Sequence, residues 1–149
     1  MIGGIERSEV RSWLLQASLF AKKGDMVILC APYVEAEALL GLGLAHGSNV
    51  QIVTTDSAAD HLRENTVVLR DEPRALRVVP RLHAKVYARW ARDVERTEVV
   101  VTSANLTSAG LSRNLEFGVL ARGDCPEGRR LIRQVERFLA TLTTIRSSR

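Results

Sequence analysis

Three segments in the second half of the chain alternate apolar and polar residues, a pattern typical of strands that bury one face. His83 and Lys85 stand two residues apart between apolar neighbours, and Ser103 and Asn105 repeat that spacing. Glu116 lies in a third alternating run. Because successive side chains of a strand point to opposite faces, each segment would bury its apolar residues and present its polar ones. The chain is therefore expected to fold around strands that carry these polar groups.

The first half of the chain alternates predicted helices with short apolar strands. Apolar residues recur at helical spacing over 5–23, which predicts an amphipathic helix. A second helix is predicted over 34–45, and Asp56 can cap a third. Buried strands are predicted at the apolar runs 26–30 and 50–54.

The second half of the chain favours strands joined by hairpins. The predicted strands are 76–79, 83–90, 97–103 and 114–121, with a turn over 107–110 before the last of them and a final helix ending near residue 143. Helices separate the early strands and hairpins join the later ones. The predicted fold class is therefore α/β, with a mixed β-sheet flanked by helices on both faces.

Composition restricts the protein to a few broad classes. The chain has 149 residues, of which 46% are hydrophobic, so we expect a single globular domain over 1–149. The 21 Lys and Arg residues outnumber 17 Asp and Glu residues, and the net charge of +4 favours an anionic partner. No apolar run is long enough to span a bilayer and no secretory signal is recognisable, so we expect a soluble, cytoplasmic protein.

The residues that commonly bind metals are sparse. The two cysteines, Cys30 and Cys125, form no CxxC motif and are expected to be free structural thiols. The three histidines lack the short mutual spacing of a zinc site. A site with one carboxylate and one lysine offers few ligands for a cation, so we expect no metal and no other cofactor.

The order His-x-Lys, then Ser-x-Asn, then Asn-x-Glu resembles the phospholipase D superfamily. His83 and Lys85 match its HxK motif, Ser103 and Asn105 match its serine and asparagine, and Glu116 matches the glutamate of its short nucleases. The resemblance extends along nearly the whole chain. It implies a phospholipase D-like fold and a phosphodiesterase whose catalytic residues are these five.

One position departs from the family pattern. The family has an aspartate five residues after the lysine, where this sequence has Trp90. Asp93 and Glu95 lie nearby in the predicted hairpin turn, and neither is assigned the role of the aspartate. Some members lack that aspartate and remain active, so a catalytic and a non-catalytic interpretation both stay open.

The resemblance also implies a homodimer. Family members use two motifs that face each other, and short nucleases obtain the second from another copy of the chain. The chemistry agrees, because displacing an alkoxide from phosphorus needs a nucleophile and a separate proton donor. We expect His83 to form a phosphohistidine while the partner's His83 protonates the leaving oxygen. Lys85 and Asn105 would hold the non-bridging oxygens, Ser103 would support them and Glu116 would orient the imidazole.

The expected activity is that of a metal-independent nuclease, with DNA favoured over RNA as substrate. Arg89, Arg92 and Arg96 follow the HxK motif closely and are expected to contact the substrate. A non-catalytic phospholipase D-like module that binds nucleic acid or phosphate is the first alternative. A phospholipase or phosphatidyl transferase is the second.

Overall fold

The computed structural model describes residues 1–19, 22–43, 49–65 and 76–144, which contain seven strands in one sheet. The strands are β1 (Ile2–Glu6), β2 (Met26–Cys30), β3 (Val50–Thr54), β4 (Leu76–Val78), β5 (Val86–Trp90), β6 (Glu98–Thr102) and β7 (Phe117–Arg122). Their order across the sheet is β1-β7-β6-β5-β2-β3-β4. The β2, β3 and β4 strands pair in parallel, and every other pairing is antiparallel. The predicted mixed sheet is confirmed.

Helices cover both faces of this sheet. They are α1 (Arg7–Leu19), α2 (Ala36–Gly41), α3 (Asp56–Asn65), α4 (Ser108–Ser112) and α5 (Pro126–Thr144). Along β5, Tyr87 belongs to an apolar cluster shared with α1 to α4, whereas Val86 and Ala88 belong to a second cluster shared with α5. Because alternate residues of a strand face opposite sides, the two clusters lie on opposite faces of the sheet. In the described ranges, no helix combines the length and the apolar character needed to cross a membrane.

The amino-terminal strand β1 was not predicted. The helix expected over 5–23 begins only at Arg7, and Ile2–Glu6 pairs antiparallel with β7. Glycines at positions 3 and 4 have low strand propensity and carry no side chain that could reveal an alternating pattern. The strand forms because β7 offers a free edge, which is a tertiary effect that local sequence does not contain.

Other observed element boundaries differ from the predicted ones for local reasons. The helix predicted over 34–45 is observed as Ala36–Gly41, and its predicted end lies outside the described residues. The turn predicted over 107–110 is the start of the short helix α4. Thr107 caps this helix, because its Oγ1 accepts from the Gly110 N–H at 3.0 Å.

The motif strand predicted over 83–90 begins at Val86, so the HxK residues precede it. Its neighbour β2 ends at Cys30, the partner of Val86, and Pro32 just beyond has no N–H with which to continue a ladder. The preceding connection turns through Arg81, which has a positive φ of 62°. The HxK segment is therefore an extended connection that enters the sheet.

A nearly buried carboxylate links the β5–β6 hairpin to the start of β2. Asp25 is 3% exposed, accepts from the Lys22 N–H at 2.9 Å and pairs with the Arg96 guanidinium at 2.8 Å. Burial alone would raise the pKa of Asp25, but the Lys22 N–H and Arg96 outweigh it, so the pKa is lowered. The charged form of Asp25 therefore stabilises the fold.

We predict that Asp25→Asn lowers the free energy of unfolding by about 1–2 kcal/mol at neutral pH, since the ion pair is lost. The folded pKa is below the unfolded one, so this stabilisation is present above about pH 4 and is lost as the pH falls through the folded value. Urea denaturation at neutral pH and at about pH 3 should show the difference from wild type shrinking in acid. An equal loss at both pH values would contradict the assignment.

The matched control is Asp60→Asn. Asp60 pairs with Arg63 at 3.2 Å, but both side chains are at least half exposed. Exposed pairs of this kind contribute little, so the control should change stability by less than about 0.5 kcal/mol.

Candidate active site

The antiparallel pairing of β6 with β5 and β7 brings the three motif segments to one edge of the sheet. At the last residue of β6, the Thr102 N–H donates to the Lys85 carbonyl at 3.1 Å, and just past it the Ser103 N–H donates to the Phe117 carbonyl at 3.0 Å. We call this edge, where β6 ends and β5 and β7 begin, the site edge. The HxK segment, the Ser-x-Asn segment and the Asn-x-Glu segment are neighbours there.

The carboxylate of Glu116 is fixed by two side chains. Ser103 Oγ donates a short hydrogen bond to one carboxylate oxygen, and Asn114 Nδ2 donates to the other at 3.3 Å. Ser103 Oγ in turn accepts from the Phe117 N–H at 3.2 Å. Among the described residues Glu116 makes no hydrogen bond to His83, so the expected contact that would orient the imidazole is not observed. Glu116 holds the Ser103 hydroxyl instead.

His83 presents its imidazole to solvent from a firmly held backbone. Its side chain is exposed and forms no hydrogen bond within the described ranges, while Leu82 and Val86 on either side are buried in the second apolar cluster. Lys85 is half-buried, and its Nζ donates to the His83 carbonyl at 3.2 Å. The ammonium and the imidazole are thus carried on one anchored segment.

The Ser-x-Asn segment is held from beneath by a buried tyrosine. Tyr87 is fully buried, and its hydroxyl donates to the Ala104 carbonyl at 2.7 Å. Burial is the main reason that the pKa of Tyr87 is raised well above its ordinary value, so the group stays a donor. Two residues further on, the Leu106 carbonyl accepts from the Glu35 N–H at 2.9 Å. These contacts fix the loop that carries Ser103 and Asn105.

Asn105 is packed tightly and its side-chain oxygen is unpaired. A Cβ atom on Gly110 would lie 2.4 Å from the Asn105 carbonyl oxygen, so only glycine lets α4 approach this closely. The Asn105 Oδ1 atom is buried and has no hydrogen-bond partner in the described part of the chain. Such unpaired buried polar atoms are uncommon and call for a functional explanation.

Comparisons with known proteins bear on the fold. No protein-family model matches the sequence, and no curated protein matches it. Among solved structures, NucT from Helicobacter pylori matches with a TM-score of 0.69 and 13% identity, over 97% of this chain and 96% of that chain. The phospholipase D family member Nuc from Salmonella typhimurium matches with a TM-score of 0.62 and 18% identity, over 97% and 91%. The chain has a phospholipase D-like fold.

A larger protein shares this architecture in part. Yeast tyrosyl-DNA phosphodiesterase matches with a TM-score of 0.52 and 15% identity, over 81% of this chain and 31% of that chain. The fold predicted from the motif order is thus confirmed. At these identities the likeness defines the phospholipase D-like fold, while the roles of individual residues depend on the chemistry of the site.

The three arginines expected beside the site lie at the opposite edge of the phospholipase D-like sheet. Arg89 pairs with Glu98 at 3.1 Å, both side chains being about 15% exposed. At about 3.3 Å per residue, Arg89 lies about 13 Å along β5 from Lys85. Arg92 and Arg96 belong to the hairpin beyond it. Because β5 runs away from the HxK segment, the structure does not bring these arginines to the site edge, and their contact with substrate stays a prediction.

A pocket of about 400 Å³ adjoins the site edge and contains residues that sequence reasoning missed. It is lined by Glu6, Arg7, Ser8, Ser103, Asn114, Leu115, Glu116 and Phe117. Arg7 donates to the Asn114 carbonyl at 3.0 Å and so adds a cation next to Glu116. Arg7 was missed because β1, whose pairing with β7 places Arg7 there, was not predicted. Tyr87 was missed because a fully buried tyrosine looks like any other strand residue.

The cysteines take no part in the site edge. Both are free, as predicted, and burial raises the pKa of Cys30 to about 12, so its thiol is inert at neutral pH. Within the described ranges no group of three or more His, Cys, Asp or Glu side chains is arranged to hold a metal ion.

We predict that Tyr87→Phe loosens the Ser-x-Asn loop. The change leaves the buried Ala104 carbonyl without a donor, which should cost about 1–3 kcal/mol of unfolding free energy. Denaturant titration measures that loss, and amide hydrogen exchange should rise most in the loop after β6. Tyr33→Phe is the matched control, because Tyr33 is 62% exposed and its hydroxyl is free to bond water. Equal effects of the two variants would contradict the role given to Tyr87.

Proposed function

We propose that the protein is a metal-independent phosphodiesterase that hydrolyses nucleic acid, DNA in preference to RNA, as a homodimer. The proposal rests on one observation. The site edge brings together an imidazole, an ammonium, a hydroxyl, an amide and a carboxylate. This set can attack phosphorus and neutralise its oxygens. Two further observations support the proposal: a tyrosyl-DNA phosphodiesterase shares the fold, and the chain carries a net charge of +4.

In the proposed reaction His83 is the nucleophile. Within the described part of the chain its exposed imidazole has no hydrogen-bond partner to displace, so a ring nitrogen can approach phosphorus directly. A nitrogen–phosphorus bond forms as the phosphorus–oxygen bond breaks, and the partner's His83, as imidazolium, gives its proton to the leaving oxygen. Water then attacks phosphorus, so that a new phosphorus–oxygen bond forms as the nitrogen–phosphorus bond to His83 breaks. One proton of the water returns to the partner's His83, and both imidazoles regain their starting states.

The other site-edge groups bind and position. Lys85 would neutralise a non-bridging oxygen, and Asn105 would hydrogen-bond one through its amide. Glu116 acts on Ser103 through their short hydrogen bond, which fixes the hydroxyl at the site edge. In this proposal Glu116 is a positioning residue for Ser103 rather than for His83.

The tryptophan at the position of the family aspartate does not weigh against this mechanism. Trp90 keeps a regular register with Met26, packs with the second apolar cluster and lies about 16 Å along β5 from Lys85. Asp93 caps the hairpin turn, accepting from the Glu95 N–H at 3.0 Å. Position 90 and both acids belong to the opposite edge of the sheet. Loss of an acid at position 90 therefore removes no group from the site edge.

A non-catalytic nucleic-acid-binding module is the second candidate. It is favoured by one observation, the lack of any described side chain that orients the His83 imidazole. Catalytic histidines are usually held in one tautomer by a hydrogen-bonded partner. The two candidates differ in turnover, which the following experiment measures.

We predict that the protein cleaves single-stranded DNA and bis(p-nitrophenyl) phosphate in excess EDTA, and that His83→Ala reduces turnover by at least about a thousandfold. Lys85→Met should retain the fold and lose most activity. His61→Ala is the control, because His61 is exposed on α3 and accepts from the Ala36 N–H at 3.4 Å instead of belonging to the site edge. Binding of DNA without cleavage of any substrate would refute the phosphodiesterase and favour the module.

We also predict that His83→Ala is dominant in mixed dimers. If one site uses an imidazole from each chain, activity falls with the square of the wild-type fraction, and an equimolar mixture retains about one quarter of full activity. The mixture is refolded together so that the chains exchange, and its turnover is compared with that of separately refolded samples. A linear fall to about one half would show that each chain works alone.

A further inference from the structure

Two large apolar side chains are exposed on either side of Glu116. Leu115 is fully exposed and Phe117 is 60% exposed. Both line the pocket beside the site edge that also contains Arg7. Single exposed apolar residues are common, but an aromatic ring adjoining a polar site offers a surface for another flat ring.

The backbone of Phe117 is fixed to the candidate site. Its N–H donates to Ser103 Oγ at 3.2 Å, and its carbonyl accepts from the Ser103 N–H at 3.0 Å and from Thr102 Oγ1 at 2.9 Å. Three hydrogen bonds therefore hold the backbone of Phe117 against the segment that carries Ser103. The point at which the ring is attached therefore keeps a constant position relative to the site edge.

A glycine in the neighbouring strand makes room for the ring. A Cβ atom on Gly4 would lie 2.7 Å from Phe117 Cζ, closer than atoms can approach, whereas a Cβ on Gly3 would meet nothing within 4 Å. The ring thus extends over β1 into the space that Gly4 leaves. Of these two adjacent glycines only Gly4 has the ring close to it, so substitutions at Gly4 and Gly3 form a matched pair for experiment.

We propose that Phe117 is a stacking platform for a nucleobase of single-stranded nucleic acid bound at the site edge. The inference rests on the proposed function, since it names the form of nucleic acid that the site takes. Bases in a duplex are stacked on each other, whereas an unpaired base is free to stack on an aromatic side chain. Arg7 lines the same pocket and supplies positive charge for the adjoining phosphate. The platform accounts for an exposed aromatic side chain whose backbone is fixed beside the site edge.

The test measures binding in the His83→Ala background, so that its result does not depend on turnover. The probes are a fluorescein-labelled oligothymidylate and an oligomer of the same length in which every base is replaced by an abasic residue. Fluorescence anisotropy gives the dissociation constant of each. Both oligomers carry the same phosphates, so their ratio reports contacts to the bases alone.

The background protein should bind the base-bearing oligomer at least about tenfold more tightly than the abasic one. Phe117→Ala and Gly4→Ala should abolish this preference, the second by displacing the ring, while Phe117→Trp and Gly3→Ala should retain it. The preference should also persist when salt is raised, because stacking is not an ionic contact. Circular dichroism identifies any variant that fails to fold, and Phe117→Ala with Phe117→Trp suffices if Gly4→Ala does.

An unchanged base preference in Phe117→Ala would overturn the platform. If that variant is also a monomer where the background protein is a dimer, the ring is a contact between copies of the chain. Absence of cleavage in the His83-containing protein would refute the phosphodiesterase but leave the binding ratio measurable, so the two failures are distinguishable.

Discussion

The candidate site depends on the antiparallel pairing of β6 with β5 on one side and β7 on the other. Strand direction alternates across these three elements, so the end of β6 meets the beginnings of its neighbours. Polar segments that are far apart in the chain become adjacent for this reason alone. Val99 and Val100 are fully buried on opposite faces of the sheet, each in a different apolar cluster, so a slip of one residue would move every side chain of β6 to the wrong cluster. The hydrophobic register therefore fixes the polar site.

Much of this arrangement was accessible from sequence because alternation is a local signal. The later strands, the helices between the early strands and the mixed sheet follow from residue periodicity. The first strand does not, because its Gly3-Gly4 pair has no periodicity and its pairing partner is more than a hundred residues away. The start of β5 was misplaced for a related reason. The start of β5 is set by the end of its neighbour β2, which stops just before Pro32 in another part of the chain.

The candidate site, like the fold, was predictable from the sequence only in part. Its five polar residues could be named from their spacing and from the order of motifs, but their hydrogen bonds could not. Glu116 lies next to Ser103 because of the register between β6 and β7, and no spacing rule predicts that it bonds a hydroxyl rather than an imidazole. Arg89 was expected beside the site because nearness in sequence was taken for nearness in space. Along a strand, four residues are about 13 Å, which takes a side chain out of reach.

One half of the site edge is held by hydrogen bonds and the other half is exposed to solvent. This contrast bears on the proposed catalytic mechanism. The Ser103 hydroxyl and the Glu116 carboxylate are tied to each other and to β7, while Tyr87 holds the loop beneath them. Because these groups are fixed in advance, they need no reorganisation when charge develops on the oxygens bound to phosphorus. The His83 imidazole is instead exposed and unpaired within the described part of the chain. A second copy that brought its own His83 to the same place would exclude water from both imidazoles. Orientation of the nucleophile would then come from assembly and substrate, and an isolated chain would carry only the binding half of the chemistry.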